Sequence, residues 1–307
     1  MRELIGIDLG SNSLRAARIN EKGEVLGIYE TTVRTAQGLE ETQLIAKEAL
    51  ERILIALEKM KQTLNVTPND EIVALTTQAM RKAKNQKEIL QALAQKSGIT
   101  FRVISGEEEA FITSLAPKRT LKTLAKQEPK WNQDCFMLID MGGASSEFIF
   151  CLGEKICSRS FEIGIVSAKD KYKNLETLRE NKTNFLKEIL EFIKEAKNKG
   201  FEAKFLVANS GTPTTIAAFK LGLIKYDAQK VSGKELTLGD FREQLDKYLA
   251  LSQKERENRL GEFKADVVPF GVEIFIAFME TLGFQECLVI DEGIREGAVM
   301  ARLLGYI

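Results

Sequence analysis

A duplicated strand–turn–strand pattern constrains this 307-residue chain more than any other feature. GIDLGSNSLRAARINEKGEV, near the start, and LIDMGGASSEFIFCLGEKIC share the pattern I-D-x-G-x-x-S, with the second copy 132 positions after the first. Each copy is an apolar run that ends on an aspartate, then a turn of small and hydroxylated residues, then a second apolar run. We therefore expect two similar halves, each beginning with a β-hairpin.

The remaining sequence predicts an α/β fold. Stretches with strand and helix periodicity alternate along the chain, which favours helices layered on sheets. Residues 117–134, PKRTLKTLAKQEPKWNQD, are polar and contain two prolines, so we interpret them as the connection between the halves. A length of 307 residues also favours two domains over a single core.

Charge and hydropathy exclude several classes of partner. Lys plus Arg and Asp plus Glu both number 44, which argues against bulk attraction to nucleic acid or to a membrane surface. No apolar run approaches the roughly 20 residues that span a bilayer, and the start lacks the features of a signal peptide. We expect a cytoplasmic protein without nucleic-acid or membrane partners.

The chain has no histidine. This excludes Ser-His-Asp and Cys-His catalysis and zinc sites that contain histidine. The four cysteines form no CxxC pair, and we interpret them as buried thiols. Catalysis would therefore use carboxylates, cations, hydroxyls or backbone amides, and a metal would most simply be Mg²⁺, which prefers oxygen ligands.

The two turns have the composition of anion-binding loops. Glycine lets the backbone approach a ligand, successive N–H groups can form an anion-binding nest, and the serine hydroxyls add donors. A carboxylate before each turn would repel a bare phosphate unless a divalent cation lies between them or the carboxylate positions water. The alternative is that Asp and Gly only form hairpin turns, but the repetition at matching points favours a functional role.

Six segments together resemble the exopolyphosphatase/guanosine-pentaphosphatase (Ppx/GppA) family: the DxGSNS turn, TTQAMRKAKN, ISGEEEA, IDMGGASSE, NSGT and DEGIREG. The resemblance covers essentially the whole chain. It implies two ribonuclease-H-like domains around a cleft, as in actin, sugar kinases and heat-shock chaperones. We expect residues 1–117 plus about 292–307 to form the first domain and about 118–291 the second.

The resemblance also implies two phosphate-binding loops. The first consists of Asp8, Gly10, Ser11, Asn12 and Ser13, and the second of Asp140, Gly142, Gly143, Ala144, Ser145 and Ser146. The family usually has a third glycine at the position of Ala144. A methyl group there could narrow the approach to a phosphate, although a non-glycine residue fits this turn if its φ is negative.

The implied catalytic groups are charged. Glu109 matches the glutamate proposed to activate the attacking water, and a carboxylate in a partly dehydrated site can act as a base. Arg81 matches a phosphate-contacting arginine, for which a guanidinium fork is suited, and Arg15 lies where several relatives also carry arginine. Asp140 is the second catalytic candidate, and with Glu147 it is the best candidate to hold Mg²⁺. For each of these residues an exposed structural role is the alternative.

Two further segments have weaker assignments. Ser210, Gly211 and Thr212 of NSGT open a helix whose N-terminus could bind substrate, with structural packing as the alternative. Lys264 stands where relatives often have arginine, and it would keep the charge but lose the planar fork. The basic run KRTLKTLAK could steer a long polyanion, or it could be an ordinary solvated surface.

The sequence therefore predicts a Mg²⁺-dependent phosphohydrolase that removes the terminal phosphate of polyphosphate, of guanosine pentaphosphate, or of both. Longer relatives continue into a helical metal-phosphohydrolase region, so this chain resembles a short, two-domain form. Dimers are common among relatives, which suggests a homodimer. The alternatives are a non-hydrolytic protein that binds guanosine tetraphosphate or ATP, and a sugar or acetate kinase of the same fold.

Overall fold

The computed structural model describes residues 2–131 and 135–307. The chain divides into two compact units, of which unit 1 comprises Met1–Lys118 and Glu292–Ile307, and unit 2 comprises Arg119–Asp291. Each unit has its own mixed β-sheet with helices packed on it. The predicted α/β fold class is confirmed.

Unit 1 contains a five-stranded sheet in the order β3-β2-β1-β4-β5. Its strands are β1 (Glu3–Leu9), β2 (Ser13–Asn20), β3 (Val25–Thr32), β4 (Glu71–Thr76) and β5 (Phe101–Val103). Its helices are α1 (Leu39–Thr42), α2 (Lys47–Thr63), α3 (Gln78–Lys82), α4 (Gln86–Ser97), α5 (Gly106–Leu124) and, from the end of the chain, α14 (Ile294–Leu303). The last turn and a half of α5, from Arg119 onwards, is assigned to unit 2. Strands β1, β2 and β3 are antiparallel neighbours, whereas β4 and β5 run parallel to β1.

Strand β1 is an almost continuous apolar run because helices cover both of its faces. Ile5 and Ile7 belong to the same core as Ile53 of α2, and Leu4 packs with Val299 of α14. Gly6 makes the second contact possible, since a Cβ there would lie 1.9 Å from the carbonyl oxygen of Arg295. A strand buried on both faces loses the alternation typical of a half-exposed one.

The sequence interpretation of residues 117–134 as a connection was wrong at its start. Helix α5 continues through Pro117 to Leu124, although an internal proline removes one helical hydrogen bond and typically costs about 3 kcal/mol. Leu115 and Leu121, which lie on either side of the proline, are 6% and 5% exposed, so burial of the apolar face holds the helix together. Positions 132–134 of that segment lie outside the described residues.

Unit 2 contains a six-stranded sheet in the order β10-β11-β9-β6-β7-β8. Its strands are β6 (Cys135–Met141), β7 (Ser146–Leu152), β8 (Lys155–Phe161), β9 (Leu206–Asn209), β10 (Lys234–Thr237) and β11 (Glu286–Val289). Its helices are α6 (Ile165–Tyr172), α7 (Leu175–Glu180), α8 (Lys182–Asn198), α9 (Gly211–Lys220), α10 (Ala228–Val231), α11 (Leu238–Leu249), α12 (Gln253–Leu260) and α13 (Glu262–Leu282).

The duplicated pattern corresponds to a duplicated topology. Starting from the hairpin, unit 1 has the order β3-β2-β1-β4-β5, and unit 2 has the equivalent order β8-β7-β6-β9-β11, with β10 added at the edge. The core of unit 2 is rich in aromatic side chains, and Phe148 packs edge-on against both Phe161 and Phe278. The four cysteines are free, three of them buried and Cys157 partly so, as the sequence predicted.

Candidate active site

The first candidate loop is the turn of the β1–β2 hairpin. The N–H of Gly10 donates to the carbonyl oxygen of Ser13 at 3.0 Å, and this bond closes the turn. The carbonyl oxygen of Ser11 accepts from Ala36 N at 2.9 Å. Because a trans peptide points its N–H opposite to its C=O, the N–H of Asn12 is directed away from that contact. It donates to no residue within the described ranges.

The second candidate loop repeats this geometry in unit 2. The N–H of Gly142 donates to the carbonyl oxygen of Ser145 at 2.8 Å. The first turn of α6 binds the loop's carbonyl oxygens: Ile165 N donates to Gly142 O at 3.1 Å, and Val166 N donates to Gly143 O at 2.8 Å. The N–H groups of the two following residues, Gly143 and Ala144, therefore point away from α6.

Neither of these two N–H groups donates a hydrogen bond within the part of the chain that the structure describes. Successive free N–H groups in a tight turn are suited to bind an anion. Ala144 is absent from the described non-glycine residues with positive φ, so its methyl group causes no backbone strain in this turn. The replacement of a glycine at this position therefore leaves the turn intact.

The ends of the parallel strands bring three predicted groups of unit 1 to one edge of its sheet. Thr76, at the end of β4, donates its hydroxyl to the carbonyl oxygen of Leu9 at 2.8 Å. Ile104, just after β5, donates its N–H to the carbonyl oxygen of Thr76 at 3.1 Å. The first loop, the helix with Arg81 and the helix with Glu109 follow these three strand ends, which is where open α/β sheets bind ligands.

Arg81 and Glu109 form an ion pair. Arg81 Nη1 donates to Glu109 Oε2 at 2.8 Å and to the carbonyl oxygen of Ile104 at 2.6 Å. The side chains are 29% and 13% exposed respectively, so the carboxylate is largely shielded from water. The other guanidinium nitrogens of Arg81 make no hydrogen bond within residues 2–131 and 135–307.

The two glutamates before Glu109 differ from it. Glu108 accepts a hydrogen bond from the N–H of Ser105 at 2.9 Å, and Ser105 Oγ accepts from the N–H of Glu108 at 3.1 Å. This is the reciprocal capping arrangement of a helix N-terminus. Glu107 is exposed on the first turn of α5. Glu108 therefore caps the start of α5.

Asp140 lies beside two polar residues in the sheet of unit 2. It is paired with Glu147 across the antiparallel β6–β7 ladder and with Asn209 across the parallel β6–β9 ladder. Residues paired in register point to the same face of a sheet. Glu147 Oε1 accepts hydrogen bonds from Ser145 Oγ and Ser160 Oγ, both at 2.7 Å. These bonds orient the carboxylate.

This pair of carboxylates fits the chemistry of Mg²⁺ binding. Mg²⁺ typically takes one or two protein carboxylates and completes its coordination with water and substrate phosphates. No cluster of three or more acidic, cysteine or histidine side chains that could hold a metal occurs among the described residues. Asp140 and Glu147, paired across β6–β7, supply two carboxylates of that kind, and their role as Mg²⁺ ligands stays a prediction.

Arg15 occupies a position equivalent to that of Glu147. It is paired with Asp8 across β1–β2, as Glu147 is with Asp140. Its Nε lies 3.5 Å from Glu30 Oε1 of β3, and both side chains are about one-third exposed. The hairpins are thus alike in backbone but opposite in charge at this position.

The NSGT turn joins β9 to α9 and is strained. Ser210 has a φ of 118°, a value that favours glycine, and backbone strain often marks a functional site. The buried hydroxyls of Ser210 and Thr212 have no hydrogen-bond partner among the described residues. A Cβ on Gly271 would lie 2.3 Å from Thr212 Oγ1, so that hydroxyl packs against α13, which favours the structural alternative for Thr212.

Lys264 lies exposed in the first turn of α13. The structure divides the candidate residues between the two units. Unit 1 holds Asp8, Gly10, Ser11, Asn12, Ser13, Arg15, Arg81 and Glu109, whereas unit 2 holds Asp140, Gly142, Gly143, Ala144, Ser145, Ser146, Glu147, Ser210, Gly211, Thr212 and Lys264. The assigned roles of these residues stay predictions.

Sequence reasoning missed the residues that support the second loop. A Cβ on Gly164 would lie 2.6 Å from Gly143 O, and Ser167 Oγ donates to the carbonyl oxygen of Ala144 at 3.0 Å. Ser160 was also missed, because nothing in the β8 sequence distinguishes it from an ordinary exposed serine. The helix start IGIVS offered a signal only for Gly164, which directly precedes α6.

The two units have sheets of equivalent strand order. Each sheet begins with a hairpin whose turn has N–H groups directed away from the supporting backbone. This arrangement is that of the ribonuclease-H-like class, which includes actin. A model of the Ppx/GppA phosphatase family matches residues 17–305. The chain therefore belongs to the Ppx/GppA phosphatase family.

The chain is similar to several characterised or solved relatives. It is 27% identical to the guanosine-5'-triphosphate,3'-diphosphate pyrophosphatase of Pseudoalteromonas atlantica, over 97% of this chain and 58% of that protein. It is 26% identical to a putative exopolyphosphatase of Haemophilus influenzae, over 71% of this chain and 67% of that one. The structure of the Aquifex aeolicus PPX-GPPA enzyme matches with a TM-score of 0.76 and 28% identity, covering 98% of this chain and 99% of that chain.

The chain thus spans about three-fifths of the length of the pyrophosphatase that it matches. None of the helices in the described ranges combines the length and the apolar character that a membrane crossing requires.

Proposed function

We propose that this protein is a phosphohydrolase that removes the terminal phosphate of inorganic polyphosphate, of guanosine pentaphosphate, or of both. The observation that carries the proposal is the pair of hairpin loops whose N–H groups turn away from the backbone that supports them. Family membership and the relatives named as a guanosine pentaphosphate pyrophosphatase and a putative exopolyphosphatase support this substrate class.

Each loop would bind phosphate oxygens through its backbone N–H groups and serine hydroxyls. Arg81 would add the guanidinium nitrogens that its contacts with Glu109 and Ile104 leave available. Preorganised donors of this kind stabilise the charge of a transferring phosphoryl group, and such stabilisation is the main catalytic requirement of phosphoryl transfer.

Glu109 would orient the attacking water and accept its proton. Asp140 and Glu147 would hold Mg²⁺, which when bound supplies positive charge to the phosphate oxygens. The absence of histidine leaves a carboxylate as the natural base. Balanced charge argues against bulk attraction to nucleic acid or to a membrane surface, and a cytoplasmic location and a homodimer stay predictions.

The test is release of inorganic phosphate in the presence of Mg²⁺, with polyphosphate and guanosine pentaphosphate assayed side by side and no acceptor added. We expect Glu109→Gln to lower kcat by about 10²- to 10⁴-fold, the usual contribution of a general base. Glu107→Gln is the matched control, because it removes an exposed carboxylate from the same helical turn. Equal background rates in wild type and Glu109→Gln would support a non-hydrolytic binding protein, and release only with an added acceptor would indicate a kinase.

A further inference from the structure

Unit 2 contains a cavity of about 320 Å³ at the C-terminal end of α9. It is lined by Phe219 and Lys220 of that helix, by Gln244, Lys247 and Tyr248 of α11, and by Arg259 of α12. Lys220 is nine residues after Gly211, which places it about 13 Å along the helix axis from the NSGT turn. The cavity is therefore separate from the NSGT turn, whereas Arg259 lies five positions before the candidate residue Lys264.

The charge of this cavity is of one sign. Its lining within the described chain includes three cations and no acidic residue. Lys220 Nζ contacts Asp240 at 2.8 Å and Lys247 Nζ contacts Glu243 at 2.6 Å, but the side chains of both lysines are more than 40% exposed. The Lys247–Glu243 pair is exposed on both sides and contributes little. Asp240 is only 14% exposed, so the Lys220–Asp240 pair is the firmer one, but the Lys220 side chain is itself 42% exposed and its ammonium has further donors for an anionic ligand.

An aromatic column forms one wall of the cavity. The rings of Phe219 and Tyr248 stack with centroids 5.6 Å apart and an interplanar angle of 18°. The guanidinium of Arg259 lies over the Phe219 ring at 5.9 Å, and that of Arg256 lies over the Tyr248 ring at 5.6 Å. Arg259 is exposed and ends the column, and a planar guanidinium is a surface on which a nucleobase can stack.

The amide of Gln244 is a further polar group at the cavity. Gln244 is only 8% exposed, and its side chain makes no hydrogen bond within residues 2–131 and 135–307. It precedes Tyr248 by one helical turn and lines the same cavity. Its amide atoms are not fully enclosed, and a glutamine can pair with the donor and acceptor edge of a base such as adenine.

We propose that this cavity binds a nucleoside monophosphate or a similar anion with a planar base. Lys220 and Lys247 would contact the phosphate, the column ended by Arg259 would stack with the base, and Gln244 would bind the edge of the base. The cavity's volume of about 320 Å³ lies within the range of small-molecule sites.

The first experiment is calorimetric titration of the whole protein with AMP, GMP, adenosine and inorganic phosphate. We expect saturable binding of at least one monophosphate, and weaker binding of adenosine and of phosphate alone. Arg259→Ala should weaken the binding about 10-fold, whereas Lys254→Ala, the loss of an exposed cation that lies on the same helix outside the cavity, should leave it unchanged.

The second experiment locates the ligand by NMR. In protein labelled with ¹⁵N-glutamine, AMP or GMP should shift the side-chain amide signal that Gln244→Leu removes. The same shift should occur in Glu109→Gln, so binding here is distinguishable from the proposed catalysis. The proposal is overturned if neither monophosphate binds below about 1 mM, if phosphate alone binds as tightly, if Arg259→Ala and Lys254→Ala behave alike, or if the Gln244 signal does not move.

Discussion

Ala144 shows how a single backbone angle determines whether a non-glycine residue fits the second candidate loop. From the sequence, its methyl group was expected to narrow the loop unless φ is negative. The structure keeps Ala144 outside the positive-φ residues and ties its carbonyl oxygen to Ser167 Oγ at 3.0 Å. The sequence could not predict the φ of Ala144, because the hydrogen bonds from α6 that set the loop's orientation come from residues about 20 positions later.

Arg18 and Asp70 make the clearest electrostatic contact of unit 1. Arg18 donates two parallel hydrogen bonds to the Asp70 carboxylate, at 2.7 and 3.0 Å, and the carboxylate also accepts from Thr67 N at 2.6 Å. Arg18, and then Thr67, lower the pKa of Asp70 to about 2. Its pKa in the unfolded chain is about 3.9.

We expect Asp70→Asn to lower the free energy of unfolding by about 2 kcal/mol near neutral pH. The native state binds fewer protons here than the unfolded state, so the stabilisation is present above about pH 4 and is lost as the pH falls towards 2. Urea unfolding of both proteins from pH 7 to pH 3 measures the difference, which should narrow on acidification. Asp170→Asn, at an exposed aspartate, should show little difference at any pH, and a pH-independent gap for Asp70→Asn would contradict the argument.

Helix α14 is the element whose place is least visible in the sequence. Its residues follow unit 2 in the chain, yet they pack on β1 of unit 1 and on the first half of α5. Periodicity predicted a helix here, but only the resemblance to a two-domain family assigned it to the first domain. Two glycines let the backbones approach: Gly6 faces Arg295 O, and a Cβ on Gly297 would lie 2.0 Å from Ile112 O.

We expect Gly6→Ala to destabilise the protein by about 3 kcal/mol or more, because a backbone carbonyl cannot move aside as a flexible side chain can. Thermal or urea unfolding measures this loss. Gly106→Ala is the matched control, since a Cβ at Gly106 meets no atom within 4 Å. If both alanine variants unfold at the same denaturant concentration, the close packing of α14 on β1 does not determine stability.

At the scale of the whole molecule, the repeat made the fold predictable. The shared I-D-x-G-x-x-S pattern predicted two hairpins, and the structure extends the equivalence to five strands in each sheet. The alternation of strand and helix periodicity was enough to predict the α/β class, because such elements pack as helices layered on a sheet. The Arg81–Glu109 pair and the partners of Glu147 could not be predicted, because contacts between separate elements leave no local pattern.

Unit 2 is continuous in sequence and has its own aromatic core. We therefore expect residues 119–291 alone to unfold cooperatively on heating. Residues 1–118 alone should aggregate, because without α14 the face of the sheet that includes Leu4, Ala17 and Ile19 is uncovered. Joining residues 292–307 to residue 118 through a short Gly-Ser linker should restore a soluble, cooperative unit. Soluble, folded 1–118 would show that α14 is dispensable.

Because α14 packs on the first sheet, it also affects the order in which the two units can fold during synthesis. Domains usually fold in the order in which they are synthesised. Here, however, β1 is fully packed only after α14, almost 300 residues later in the chain, has been synthesised. Unit 2 can form its aromatic core while the β1–β2 hairpin of unit 1 still lacks α14 on one face. During translation the half that is made first is therefore the half that matures last, and it is the one that would need a chaperone's protection in the interval.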